Sequence, residues 1–269
     1  MRDLRQFQFR QISQQNLDKN IIEMQQKLVN KNLWEIMASL VGDDKSGEVK
    51  VDDAAPPAVF ETVVEEVGYY AKQLKNLDNG DLPTEQLLLW ADRVPKIYEA
   101  IFSSSTVVNQ LKGDLNNSIK TVRLVYAQNT TGNAGIQTMI TNEIQNKTLQ
   151  KVRKDTKTAT IGLLWMKRAM QFMLEFLKNI VANVDKPTKQ CAQETYAAVL
   201  KPYHGWLTSK AVGLTMGWTP AKADLIQKFG YTDETFQIKM SEFLAVFEPI
   251  IMTIHNFLDG IGANFADKV

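Results

Sequence analysis

The stretch Ile161–Leu177, IGLLWMKRAMQFMLEFL, determines how the rest of the chain is interpreted. It is too rich in apolar residues for a surface helix and too interrupted by polar ones to span a membrane. Inside it lie Trp165, Lys167 and Arg168. We therefore expect a largely buried helix in which the two cations reach water or a ligand that favours charge.

One face of this helix is apolar and aromatic. At 100° per residue, a single stripe contains Ile161, Trp165, Ala169, Phe172 and Phe176. Such a stripe is either ordinary core packing or the wall of a pocket, and the stretch alone leaves both interpretations open. Trp165 would distinguish them, because an accessible indole face can stack on a sugar ring.

Composition and motifs argue against several classes of protein. The 269 residues include 31 Lys and Arg against 30 Asp and Glu, so global electrostatic capture of nucleic acid is not expected. One cysteine and two histidines are too few for a Cys- or His-based metal centre, and we expect neither metal nor cofactor. No catalytic motif indicates an enzyme. Without a signal sequence or a long apolar run, a cytoplasmic monomer is expected.

The chain is predicted to divide at the acidic, Gly- and Pro-containing stretch 42–57, GDDKSGEVKVDDAAPP, which resembles a linker. Residues 1–57 are then an N-terminal helical extension with its linker, and residues 58–269 form the main domain. Every segment of that domain has helical periodicity and none alternates as a strand does. The prediction is an all-α fold of about eight helices, one of them running from about Ala134 to Lys154.

A polar stripe borders the apolar face of the segment 106–128. It consists of Asp114, Ser118 and Thr121, which lie about one helical turn apart. Most such stripes are solvated helix edges. The functional interpretation is a carboxylate at the mouth of a pocket, where it accepts hydrogen bonds from paired hydroxyl groups such as those of a sugar.

The segment LKPYHGWLTSK, residues 200–210, contains His204 within a Tyr-His-Gly-Trp cluster beside Pro202. A histidine in this setting is either packed in the core or a half-buried hydrogen-bonding group. Nearby, Trp206, Lys210 and Trp218 combine aromatic and cationic side chains, as in proteins that contact a membrane interface. Core packing of the two tryptophans is the alternative.

Three stretches in order carry a resemblance to a known family: GDLNNSIKTVRLVYAQN at 113–129, the stretch quoted first, and YAAVLKPYHGWLTSK at 196–210. With these separations, roughly Pro57–Val269 resembles the glycolipid transfer protein family. The resemblance implies an all-helical two-layer sandwich around a cleft for ceramide chains. It also implies a non-enzymatic protein that binds a glycosphingolipid and contacts membranes transiently.

The resemblance also implies roles for individual residues. Asp114 would bind the sugar and the sphingoid amide, Trp165 would stack on the first sugar, and His204 would bond the ceramide carbonyl. Ile161 would line the chain pocket, together with Phe172 and Phe176, and Trp206 would contact the membrane. The set expected at the headgroup is Asp114, Ser118, Thr121, Trp165 and His204.

This chain departs from the family pattern in ways that bear on selectivity. Where the family usually has Asn and Lys after the aspartate, this sequence has Ser118 and Thr121, and Asp267 replaces a C-terminal tyrosine of some members. Members that carry ceramide-1-phosphate typically have Lys four residues after the aspartate and Arg in place of Trp165. Phosphate would have to rely on Lys167 or Arg168, so ceramide-1-phosphate transfer is the alternative. A further hypothesis is a helical interaction protein that kept the fold but lost lipid selectivity.

Overall fold

The structure, a computed structural model, describes residues 59–102, 105–205 and 219–268. In these residues the regular secondary structure is helical, apart from an isolated bridge between Pro83 and Gly135. The predicted extension and domain boundary at 1–57 lie outside the described residues. The helices are α1 (Val63–Lys72), α2 (Thr84–Ala91), α3 (Pro95–Ile101), α4 (Ser105–Tyr126), α5 (Ile136–Lys147), α6 (Leu149–Lys154), α7 (Ala159–Ala182), α8 (Thr188–Val199), α9 (Lys222–Lys228) and α10 (Asp233–Gly260), with a 3-10 turn at Lys201–Tyr203.

The all-α fold class is confirmed, and the helix count differs for local reasons. The described ranges contain ten α-helices rather than about eight. The helix predicted from Ala134 to Lys154 is wrong, because Thr148 adopts a φ of 70° and separates α5 from α6. A β-branched residue rarely adopts positive φ, so nothing in the sequence marks Thr148 as a break. The helical periodicity of the segment continues across it. In the part of the chain that the structure describes, no helix is long and apolar enough to cross a bilayer.

Helix α7, which contains the stretch quoted first, lies at the centre of the fold. It packs against α4, α8 and α10, and α10 in turn packs against α1. Most of its side chains are buried, as the sequence predicts. The apolar area removed from water along this helix contributes about 25 cal/mol per Å² to stability.

Side chains of opposite charge stabilise the two ends of α7. At the N-terminus, the Glu143 carboxylate accepts hydrogen bonds from the backbone N–H groups of Ala159 at 2.9 Å and Thr160 at 2.8 Å. At the C-terminus, the Lys222 ammonium donates to the carbonyls of Ile180 at 3.0 Å and Val184 at 2.9 Å. These contacts satisfy end groups that the helix cannot pair itself, and each charge complements the helix dipole.

Gly162 is a point of close approach between α7 and α4. A Cβ at this position would lie 3.0 Å from the Ser118 carbonyl oxygen, 3.0 Å from Val122 Cγ2 and 3.2 Å from Thr121 Cβ. The glycine thus allows the α4 backbone, which carries Asp114, to lie against the N-terminal half of α7, which carries Trp165.

We predict that Gly162→Ala lowers the free energy of unfolding by about 1–3 kcal/mol, because the methyl group overpacks the contact between α4 and α7. Urea denaturation followed by circular dichroism measures the change.

The matched control is Gly113→Ala in α4, where nothing lies within 4 Å of the added Cβ. This control should keep its stability or gain up to about 1 kcal/mol, because alanine favours the helix over glycine. Equal losses in the two variants would contradict the proposed close contact.

Candidate functional site

Trp165 and His204 form the centre of the candidate site. Their rings are nearly parallel, with an interplanar angle of 16° and centroids 6.3 Å apart. Trp165 is partly exposed on α7, and His204 directly follows the 3-10 turn that contains Pro202. Proline cannot continue an α-helix, so α8 ends and the chain carries His204 towards α7. The structure therefore brings together two residues that are 39 positions apart in the sequence.

The surroundings of His204 favour its neutral form, because they lower its pKa. Burial lowers the pKa of His204, the carboxylate of Asp114 opposes this effect, and the cation of Arg168 adds to it. The Nδ1 atom of His204 lies 3.1 Å from the Tyr196 hydroxyl. A neutral imidazole donates one hydrogen bond and accepts another, which suits an uncharged amide or carbonyl group.

Asp114 is exposed on α4, and its charge acts on His204, which follows the 3-10 turn after α8. The other two residues of the polar stripe behave differently. Ser118 Oγ donates to the Asp114 carbonyl at 2.9 Å, and Thr121 Oγ1 donates to the Asn117 carbonyl at 2.8 Å. Each hydroxyl proton is thus used within the helix, and only the lone pairs of these oxygens can serve a ligand.

The predicted chain-pocket residues on α7 belong to a buried stack of aromatic rings. Phe172 and Phe176 are both fully buried, with ring centroids 6.2 Å apart and an interplanar angle of 10°. Phe176 continues the stack to Phe102 at 6.4 Å, and Phe102 to Tyr98 at 6.3 Å. At 1.5 Å per residue, the α7 face from Trp165 to Phe176 extends about 16 Å from the site into the core.

Ile161 is buried one turn before Trp165, with 9% of its surface exposed. The predicted membrane-contact residues Trp206, Lys210 and Trp218 lie outside the described residues, so their placement stays a prediction. Among the residues that the structure does describe, no three His, Cys, Asp or Glu side chains come together as metal ligands.

Arg168 and Lys167 do not reach water, which is one of the two environments that the sequence predicts for them, the other being a ligand that favours charge. Each is 1% exposed. The Arg168 guanidinium donates to the Phe265 carbonyl, and its Cζ lies 3.5 Å from the Tyr203 ring centroid and 4.8 Å from that of Trp165. Burial lowers the pKa of Arg168. Sequence periodicity does not reveal these contacts, because Tyr203 and Phe265 come from distant segments.

Lys167 contacts its own helix, α10 and the residues that follow α10. Its Nζ is 3.4 Å from His255 Nδ1 and 3.5 Å from both Gln171 Oε1 and Asn264 Oδ1. Burial, with a contribution from the neighbouring Arg168, lowers the pKa of Lys167 to about 8. These contacts explain how a lysine is accommodated in the core without a ligand.

We predict that Asp114→Asn lowers the pKa of His204 further, because it removes the carboxylate that favours the imidazolium form. With only two histidines in the chain, NMR titration of the ring protons resolves both.

The control variant is Asp92→Asn. It removes another exposed carboxylate that contacts α4, through an ion pair with Arg123 at 2.6 Å, but that does not act on His204. It should leave the pKa of His204 unchanged, and His255 should titrate alike in both variants. An unchanged or raised pKa of His204 in Asp114→Asn would show that the two residues do not share a site.

Sequence comparisons identify related proteins. The model of the glycolipid transfer protein (GLTP) family matches residues 82–231. Glycolipid transfer protein 1 of Arabidopsis thaliana is 28% identical over 188 residues, which cover 69% of this chain and 88% of that protein. The glycolipid transfer protein of Aureobasidium melanogenum is 22% identical over 182 residues, covering 68% and 86%.

Solved structures share the fold at lower identity. A structure that describes how FAPP2 selects simple glycosphingolipids using the GLTP fold aligns with a TM-score of 0.67 at 22% identity, covering 77% of this chain and all of that one. Human ceramide-1-phosphate transfer protein in complex with 12:0 ceramide-1-phosphate aligns with a TM-score of 0.68 at 13% identity, covering 76% and 98%. Together with the family match over residues 82–231, these likenesses confirm the expected fold and family: the chain belongs to the glycolipid transfer protein family and is a non-enzymatic sphingolipid transfer protein.

Proposed function

We propose that the protein lifts glycosphingolipids from one membrane surface and delivers them to another, with the sugar held at Trp165. The observation that carries this proposal is the near-parallel contact of Trp165 with His204 beside the Asp114 carboxylate. A partly exposed indole face suits the CH-rich face of a sugar ring, and an exposed carboxylate accepts hydrogen bonds from sugar hydroxyls. The neutral His204 suits the ceramide amide region.

Ser118 and Thr121 take a smaller part in this proposal than the family pattern suggests. Their hydroxyl protons are engaged by their own helix, so they can only accept hydrogen bonds from a ligand. An Asn and a Lys, which the family usually has there, would donate instead. We therefore expect weaker discrimination among sugars than in members that keep those residues.

The ceramide chains are proposed to enter the apolar core along the α7 face below Trp165. Ile161, Phe172 and Phe176 supply this face, and the stack with Phe102 and Tyr98 must separate to admit a chain. Each methylene that moves from water into such a site contributes about 0.8 kcal/mol. Transfer needs no bond to be made or broken, because apolar contacts in the protein replace those in the bilayer.

The alternative cargo is ceramide-1-phosphate, which the observed charges support less well. Asp114 would repel a phosphate beside Trp165, and the family's phosphate-binding cations are replaced by Ser118 and Trp165. The cations that remain nearby are engaged elsewhere: Arg168 with the Phe265 carbonyl, and Lys167 with neutral side chains. Phosphate binding would have to break these contacts first.

Membrane contact is proposed to involve Trp206, Lys210 and Trp218, as the sequence suggests, with the protein acting transiently at cytoplasmic membrane surfaces. Tryptophan and lysine together favour the interface between headgroups and water. The site residues Trp165 and Asp114 are accessible on the protein surface, as they must be if the sugar is held outside the core.

We predict that the protein transfers galactosylceramide and lactosylceramide between vesicles at least tenfold faster than ceramide-1-phosphate. Trp165→Ala should slow glycolipid transfer roughly 2- to 12-fold, the equivalent of losing about 0.5–1.5 kcal/mol of stacking. Fluorescent lipid transfer between donor and acceptor vesicles gives both rates.

The control for this prediction is Leu124→Ala, which truncates a side chain that is 59% exposed on α4. Its transfer rates should equal those of the wild type. Faster transfer of ceramide-1-phosphate than of either glycolipid would overturn the sugar proposal in favour of phosphate, and no transfer of any of the three lipids by the folded protein would reject both cargoes.

We also predict that Phe176→Leu changes which acyl chains are preferred, because it shortens one ring of the stack that a chain must displace. Phe229→Leu is the matched control, since Phe229 is equally buried but pairs with Phe236 instead. Each change removes the same volume from a buried position, so the two variants should lose similar amounts of stability. The measurement is the rate of transfer of galactosylceramides with different acyl lengths. Only Phe176→Leu should prefer other acyl lengths than the wild type. Identical preferences in the wild type and both variants would contradict a chain pocket at α7.

A further inference from the structure

Arg168 is a buried cation at an unusual position beside the candidate site. Its side chain is 1% exposed, and no ion pair in the described ranges includes it. The Nε atom is buried without a hydrogen-bond partner. The charge of Asp267 acts on Arg168 without a direct ion pair between them. Removing a charge from water in this way is costly, and apolar residues of similar volume are often neutral or stabilising in such places. Filling space in the core therefore does not account for an arginine here.

The guanidinium of Arg168 contacts three separate parts of the chain. It donates to the carbonyl of Phe265, stands over the ring of Tyr203 at 3.5 Å, and lies 4.8 Å from the ring of Trp165. Tyr203 immediately precedes His204, whose ring lies against Trp165. One planar cation thus contacts Trp165, the residue before His204, and the segment 261–268, which we call the C-terminal segment.

Other contacts hold the C-terminal segment independently of Arg168. Arg153 of α6 donates to both carboxylate oxygens of Asp267, at 2.6 and 2.7 Å. Lys167 lies 3.5 Å from Asn264 Oδ1. Among these three cations, Arg168 is the one that contacts the Trp165 ring.

We propose that Arg168 is a positioning residue that couples the C-terminal segment to the headgroup site by holding Tyr203, and with it His204, in register with Trp165. This inference rests on the proposed function of that site. Arg168 itself does not bind the lipid. The C-terminal segment thereby influences headgroup binding through the Phe265 carbonyl, to which the guanidinium donates.

The closeness of Arg168 to His204 has an electrostatic signature. The charges of Asp114 from α4 and Arg168 from α7 act on His204, and the Tyr196 hydroxyl of α8 lies 3.1 Å from its Nδ1 atom. Of these, the cation of Arg168 opposes protonation of the imidazole. Removing it should make His204 easier to protonate, whereas loss of an unrelated buried residue should not.

The experiment compares Arg168→Met and Arg168→Lys with the control Lys167→Met. Lys167 is the adjacent buried cation and contacts the same C-terminal segment, but it takes no part in the ring contacts. NMR titration of His204 is performed on the lipid-free proteins, and galactosylceramide transfer is measured between phosphatidylcholine vesicles. Circular dichroism and urea denaturation establish that each variant is folded.

We expect Arg168→Met to raise the pKa of His204 and to slow transfer roughly 2- to 30-fold. Arg168→Lys should keep the pKa of His204 near that of the wild type but still transfer slowly, because a point charge cannot span the carbonyl and both rings. Lys167→Met should match the wild type in both measurements.

The proposal fails if folded Arg168→Met leaves both measurements unchanged or if Lys167→Met reproduces its effects. If Arg168→Met does not fold, Arg168→Lys decides, since transfer at the wild-type rate would show that charge alone suffices. The titration separates this inference from the proposed function. If the wild type transfers no glycolipid but the pKa of His204 rises in Arg168→Met, Arg168 still acts on the site and the proposed cargo is refuted.

Discussion

The close contact of α4 with α7 at Gly162 is the constraint on which the candidate site depends. A residue without a side chain lets the Ser118 carbonyl approach the α7 backbone. The polar edge of α4 then lies beside the half of α7 that carries Trp165. This close approach brings the facing surfaces of the two helices together. Asp114 acts on His204 although neither residue belongs to α7.

The core beside this contact combines an apolar surface with buried positive charge. Below Trp165 it is aromatic and apolar, as a lipid chain requires. On a neighbouring side of α7 it buries two adjacent cations, Lys167 and Arg168. The C-terminal segment makes this possible, because its carbonyl and amide groups replace the water that the cations lose. An aromatic face and two buried cations thus share one helix.

Much of the site was predictable from the sequence, and the failures have identifiable causes. The stripe from Trp165 to Phe176 follows from helical periodicity, which depends only on the backbone repeat. The proximity of Trp165 and His204 came from resemblance to a family, since no local pattern connects segments so far apart. The sequence predicted that Arg168 reaches water or a ligand that favours charge; it does not reach water, because it packs against Tyr203 and Phe265. The predicted continuous helix at 134–154 was wrong, because one residue, Thr148, adopts positive φ.

The sequence by itself determined the all-α class, the burial of α7 and the residues that form its aromatic face. These properties follow from hydrophobic periodicity and helix geometry, which are local and additive along the chain. Only the tertiary structure decided that the hydroxyls of Ser118 and Thr121 bond to their own helix and that Arg168 stands between Trp165, Tyr203 and Phe265. Such contacts depend on where a side chain finds its partner after packing, and partners distant in sequence leave no trace in a local pattern.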